Sequence, residues 1–170
     1  MITAHFIGEK IVSSSPEAFS LYEKSRLGEK KGRRVEYSNV EGLYLISCGR
    51  MEVVVSGKPL GEEKLMARLK RKDKKIEIKF DVFSDLRRKG YIVKTGLKFG
   101  AEFRVYDKGV KPGRDHAKWI LYTVRESDKI EWHDFSAKNR IAHSTKKNLL
   151  IGIVDEEGGI VYYEVGWIKA

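Results

Sequence analysis

A single cysteine, Cys48, is the only thiol in the sequence. One cysteine cannot close an internal disulfide, and one chain cannot build a thiolate metal cluster from it. Its place in the apolar run GLYLISCG predicts a small buried hydrophobe. The four histidines, His5, His116, His133 and His143, show no metal-ligand spacing, and there is no HExxH. The segment DEEGG lacks the other ligand positions of a calcium loop, and YDKGVKPGRDH holds glycines without the phosphate-loop arrangement. No metal and no cofactor is therefore expected. No apolar run approaches the roughly 20 residues of a membrane helix. The first residues, MITAHFIGEK, contain no signal-peptide core. A soluble, cytoplasmic protein without a membrane partner is the expectation.

What the chain has in excess is positive charge. Lys and Arg number 34 against 24 Asp and Glu, a net charge of +10 over 170 residues. Such a balance favours a polyanionic partner, most often nucleic acid. Charged residues make up 34%, above the usual quarter, which points towards a heat-adapted source. The hydrophobic share of 41% supports a globular protein of one domain or two small ones.

Patterning divides the chain. SSSPEAFSLYEKSRLG predicts a helix with Ser15 as N-cap, Pro16 at the first position and Gly28 as the stop. YSNVEGLYLISCG predicts a second, capped by Ser38 or Asn39 and ended at Gly49. GEEKLMARLKRKDKK carries Leu65, Met66 and Leu69 on one stripe, with a solvated Lys/Arg face. His5 to Val12 reads as a short strand or two. KIEIKFDVFSDLRRKG begins with strand-like alternation and ends as a helical turn at Gly90. Strands follow at Tyr91–Lys94, Glu102–Tyr106 and Lys118–Val124. HDFSAKNRIAHSTKK predicts a helix capped by Asp134 or Ser136, with His143 serving helix packing or a hydrogen bond within the core. Two strands then flank the EEGG turn, and the apolar stretch Leu149 to Val154 predicts a strand covered on both faces. The fold class is α/β (α+β). A small helix-rich N-terminal domain with a short sheet, residues 1–80, precedes a domain with a mixed β-sheet flanked by helices, residues 81–170. A boundary near residues 76–90, carried by a helix, is expected.

With no metal in view, the chemistry left to a basic protein is carried by Tyr, His and Lys. RNA brings its own nucleophile, the 2′-OH. A base, an acid and a cation suffice to cleave it. Histidine titrates near neutrality and suits acid or base work. Lysine is a compact charge for a phosphate oxygen. A tyrosine can act as base only where cations favour its phenolate. Taken singly, a strand-end Tyr is usually packing, a loop His is usually solvated, and one Lys among many signifies little.

The stretches DLRRKGYIVKTGLKFGAEFRVYDKG, HAKWILYTV and RIAHSTKKNLLIGIVDEEGGIVYYEV, in that order, resemble the archaeal tRNA-splicing endonucleases. VEGLYLISCGRMEV is similar to a motif of their N-terminal domain. The resemblance is clearest from Phe83 to Val165. It implies a catalytic C-terminal nuclease domain with Tyr106 as general base, His116 as general acid and Lys147 as transition-state stabiliser. It further implies cleavage of precursor tRNA at both intron boundaries of a bulge–helix–bulge, leaving 2′,3′-cyclic phosphate and 5′-OH ends. Arg140 matches an arginine that sandwiches a flipped bulge base. Trp167 is a weaker candidate for its companion, with packing an equal reading. Asp155, Glu156 and Glu157 match an acidic loop that inserts into a neighbouring subunit, where the bland reading is a polar hairpin tip held by Gly158–Gly159. A chain with both triad and acidic loop fits a homotetramer, with the last strand pairing across a dimer interface. Two alternatives stay open: a non-catalytic RNA-binding module, and the catalytic subunit of a heterotetramer.

Overall fold

Two serines set where the first two helices begin. In the computed structural model, which describes all 170 residues, α1 (Pro16–Ser25) follows Ser15 and α2 (Asn39–Ser47) follows Ser38. The Ser15 hydroxyl accepts from the Ala18 N–H, and Pro16 occupies a position where no N–H is missed. Ser38 and Glu41 form a reciprocal capping box. The buried Glu41 carboxylate also accepts from the Gly28 N–H at 2.9 Å. The left-handed residue that ends α1 is Arg26, at φ 57°, two residues ahead of the expected Gly28.

The chain divides into two units, Met1–Phe80 and Asp81–Ala170. In the first, β1 (Ile2–Ile7), β2 (Lys10–Ser13), β3 (Glu29–Lys31), β4 (Arg34–Tyr37), β5 (Met51–Val55) and β6 (Lys58–Leu60) form one sheet in the order β3-β4-β2-β1-β5-β6. Only the β1–β5 pair is parallel. Helix α2 approaches the sheet closely because residue 42 is glycine: a Cβ there would lie 2.2 Å from the Ile11 Cδ1. Leu65 and Leu69 of α3 (Glu62–Lys70) are buried, and the basic face is exposed.

Beside its helices the unit carries a six-stranded sheet whose strands of three to six residues are too short and too charged to show a period. One expectation for this unit needs correction. Cys48 is exposed, because it falls just past the last turn of α2 at the surface.

The second unit holds β7 (Ile92–Thr95), β8 (Phe103–Tyr106), β9 (Trp119–Arg125), β10 (Asn148–Val154) and β11 (Ile160–Val165), in the order β11-β10-β9-β8-β7. Parallel β9 and β10 are joined through α5 (Trp132–Ser144); the other pairs are antiparallel. Helix α5 covers one sheet face. Its Phe135, Ile141 and Ala142 pack with Ile120, Tyr122, Leu149 and Ile151. The other face meets α4 (Ile76–Arg88), which spans the unit boundary. Phe83 lies 5.9 Å from Phe103, and a Cβ on Gly152 would stand 3.2 Å from a Val82 methyl. The Tyr162 hydroxyl donates to Asp85 at 2.7 Å. Burial, then this bond to a carboxylate, pushes the Tyr162 phenol far up.

The strand-like start at Ile76 is corrected: α4 is one continuous helix. Ile76, Ile78, Phe80 and Val82 alternate in sequence, yet Ile78, Val82 and Leu86 also recur every four residues, and each of the three is buried. Helix α5 starts after Glu131, with no side-chain cap, and not at Asp134 or Ser136. The interior position of β10, between β11 and β9 and buried along most of its length, agrees with its apolar run.

Candidate active site

Three strand ends converge. The Val105 carbonyl accepts from the Lys118 N–H at 3.0 Å, and the Lys118 carbonyl accepts from the Asn148 N–H at 3.0 Å. The finish of β8 therefore lies beside the starts of β9 and β10. Tyr106 is the last residue of β8, His116 stands three residues before β9, and Lys147 immediately precedes β10. Residues remote in sequence thus reach one end of one sheet. No hydrogen bond links the three side chains to one another.

Each position has a local cause. Tyr106 is 4% exposed, its ring held in the sheet with the Arg104 guanidinium carbon 5.9 Å from its centroid. The following loop folds on itself. Asp107 accepts from the Lys108 N–H at 2.8 Å, and Gly109 and Gly113 adopt φ of 80° and 92°. That loop delivers His116 to the surface. Its flanks are basic: Lys108 sits over the Tyr91 ring at 5.0 Å and Lys118 over the Trp119 ring at 4.5 Å.

Lys147 is set by the way α5 ends. The Lys147 N–H donates to the Ala142 carbonyl at 2.9 Å, and the Lys146 N–H to the His143 carbonyl at 3.0 Å. This double closure needs a left-handed residue, supplied by Lys146 at φ 55° rather than by glycine. The Lys147 ammonium donates to the Thr145 carbonyl at 2.9 Å and lies 4.7 Å over the Phe99 ring. Burial, and after it the positive charge of Arg104, holds this amine below the ordinary lysine value.

Arg140 and Trp167 line one groove of about 380 Å³ with Phe135, Ser136, Asn139, Val165 and Gly166. Trp167 is 63% exposed, so packing does not consume its ring. His143 is exposed rather than core, since α5 turns that position outward. Its ring meets Trp167 edge-on, centroids 3.8 Å apart.

The catalytic C-terminal domain model of tRNA intron endonuclease matches residues 76–162, and the corresponding N-terminal domain model matches residues 2–66. The tRNA-splicing endonuclease of Pyrococcus abyssi is 38% identical over 170 residues, covering 99% of this chain and 98% of its own. That of Methanothermobacter thermautotrophicus is 35% identical over 165 residues, 96% of each chain. That of Nanoarchaeum equitans is 41% identical over 136 residues, 76% of this chain and 87% of its own.

The chain belongs to the tRNA intron endonuclease family.

The region matched to the family's catalytic domain contains Tyr106, His116, Arg140, Lys147 and the acidic hairpin tip, whereas Trp167 lies beyond it. At that tip the three acids differ. One Asp155 oxygen accepts from the Glu157 N–H at 2.9 Å and the Gly159 N–H at 2.7 Å, so this carboxylate builds the turn. Glu156 and Glu157 are exposed. The Asp155 carboxylate thus holds the hairpin turn together with Gly158–Gly159. Arg104, Phe99 and Lys146 are contributors to the site environment that sequence reasoning did not single out. For Arg104 a signal exists: it stands two residues before Tyr106, the spacing that puts two strand residues on one face.

Proposed function

We propose that this chain is an endoribonuclease cutting precursor tRNA at both intron boundaries within a bulge–helix–bulge. The observation that carries the reading is the convergence of Tyr106, His116 and Lys147 at three adjacent strand ends. Tyr106, acting as phenolate, takes the 2′-OH proton. The 2′-oxygen bonds to phosphorus while the bond from phosphorus to the 5′-oxygen breaks. His116, acting as imidazolium, gives its proton to the departing 5′-oxygen, and Lys147 faces the charge that builds on phosphate. The products are a 2′,3′-cyclic phosphate and a 5′-OH. Arg140 and Trp167 hold a bulge base in their shared groove by cation and ring stacking. The single-stranded, splayed bulge is the kind of RNA feature proteins read best.

Residues 81–170 act as the catalytic domain and residues 1–80 as a separate N-terminal domain. One chain carries one triad, and two cuts need two. A homotetramer supplies them, with Glu156 and Glu157 meeting basic surface on a neighbouring copy. The edge strand β11 pairs across a dimer interface; its Val161 and Tyr163 are 54% and 56% exposed.

The purified protein is to be incubated with a bulge–helix–bulge RNA in EDTA and the product ends identified. Two cuts with cyclic phosphate and 5′-OH ends are expected. Intact RNA, or cleavage that returns only with a divalent ion while the RNA is shown to be folded, overturns the mechanism. Binding without cleavage under any condition supports an RNA-binding module instead.

A further inference from the structure

The site holds two cations with no carboxylate between them. Arg104 precedes Tyr106 by two residues on β8, so both lie on the same sheet face. Lys147 reaches that face as well: Phe99, beneath its ammonium, packs into the core under α5. The two cations are close enough that the charge of Arg104 lowers the Lys147 amine. The acids nearest in sequence are engaged elsewhere. Glu102 accepts from the Thr123 N–H and hydroxyl, and Asp107 faces Lys118 at 3.5 Å. The Arg104 Nε is buried and has no hydrogen-bond partner. Buried polar atoms in folded proteins nearly always have one, so an exception calls for an explanation, and a bound anion is one. Two like charges held together raise each other's energy, and an anion seated between them reverses the sign.

We infer that Arg104 is a second phosphate-binding residue, taking one non-bridging oxygen of the scissile phosphate while Lys147 takes the other. The inference rests on reading Tyr106, His116 and Lys147 as the cleavage centre. A lysine alone is a point charge and leaves the phosphate free to rotate. A guanidinium presents donors in a fixed plane that matches phosphate oxygens, and so orients the group for in-line displacement. Bound phosphate would also neutralise the repulsion that Lys147 feels from Arg104 in the free protein.

The test uses the full chain. The ¹⁵N-labelled protein is titrated with inorganic phosphate, then with a bulge–helix–bulge RNA carrying 2′-deoxyribose at the cut positions. The Arg104 Nε–H resonance is expected to move in both titrations. Single-turnover cleavage by Arg104→Gln is expected to fall about 10²-fold, the usual loss for one transition-state donor, with Arg104→Lys falling less. In free Arg104→Gln the Lys147 amine should titrate at higher pH, since the charge that lowers it is gone; the Arg104 Nε–H shift on phosphate binding is the change that a purely structural role would not produce. An Arg104 resonance unmoved at saturating RNA overturns the assignment, and this readout needs no variant to fold. So does a folded Arg104→Gln that cleaves at the wild-type rate while Lys147→Ala is inactive. Normal cleavage by both variants overturns the reading of the cleavage centre as well.

Discussion

The two units use the same parts and treat them differently. Each is a mixed sheet with one parallel pair, β1–β5 in the first and β9–β10 in the second, and each packs helices on that sheet. Both units depart from local preference in places: α3 of the first and α5 of the second have no side-chain cap, and left-handed non-glycine residues occur in each, Arg26 and Ser56 in the first and Lys146 in the second. In the first unit α1 and α2 start on serine caps, and Glu41 serves three donors at once. Only in the second is a lysine amine lowered by a like charge. The first unit also has buried polar atoms without partners, the Tyr37 hydroxyl and the Asn39 carbonyl oxygen. Those atoms are neutral. The unpartnered Arg104 nitrogen belongs to a cation, and it lies at the proposed chemistry. Like charges that gather at one place, beside an unpartnered cationic nitrogen, mark where binding, rather than folding, was the constraint.

The sharpest way to break this contrast is His116→Ala. The rate of cleavage should fall by about 10²–10⁴, the share of one acid–base group, with the melting temperature unchanged because the side chain is exposed. Wild-type cleavage by this variant removes His116 from the acid role. Next comes the joint replacement of Glu156 and Glu157 by alanine, leaving Asp155 to hold the turn. Light scattering should show a mass below the tetramer and paired cleavage should be lost. Charge pairs at an interface carry a few kcal/mol when one partner is removed. A tetrameric mass would confine the two acids to a solvated hairpin tip.

Smaller effects separate stability from activity. Ser38→Ala should cost about 1 kcal/mol through the lost capping box, read as a lower melting temperature with single-turnover cleavage unchanged well below it. A loss of cleavage at full folding would tie this helix to the site. Conversely, Lys146→Gly should stabilise by about 1 kcal/mol, because glycine adopts the left-handed closure without a Cβ clash. A lower melting temperature there would show that the strain is illusory. Last is a pH effect. The folded Lys147 amine is lowered, so between that lowered value and the ordinary 10.5 the unfolded chain binds more protons. Stability contributed by this group therefore rises with pH across that window and is lost as pH falls through the folded value. Lys147→Met should flatten that rise while abolishing cleavage. An unchanged pH slope would mean the amine is fully hydrated.

Much of this was legible in the residues, and the exceptions are instructive. Ser15, Pro16 and Ser38 announced α1 and α2 because capping is settled within four residues. The β10–β11 hairpin and the buried run of β10 were equally plain. The short strands β3 to β6 were not, though one clue was present: Ser56 and Gly57, both at positive φ, form the two-residue turn of the β5–β6 hairpin. Alternation misread the start of α4, since its apolar residues satisfy both periods over the first two turns. Cys48 and His143 were assigned to cores on neighbouring apolar residues, a guide that fails at a helix end and on an outward-facing turn.

By itself the sequence determined the starts of α1 and α2 and the basic balance, because each of these depends on nearest neighbours or on composition; Tyr106, His116 and Lys147 were picked out by the resemblance of their motifs to a known family. Which strand ends lie side by side was decided only by the tertiary structure. The β8–β9–β10 register, through the Val105–Lys118 and Lys118–Asn148 hydrogen bonds, brings together residues separated by more than forty positions. The same register brings Arg104 and Lys147 to one end of the sheet, near enough for the charge of one to act on the other. No window of sequence records that approach, since the energy of two charges depends on their separation in space and on the solvent withdrawn from around them.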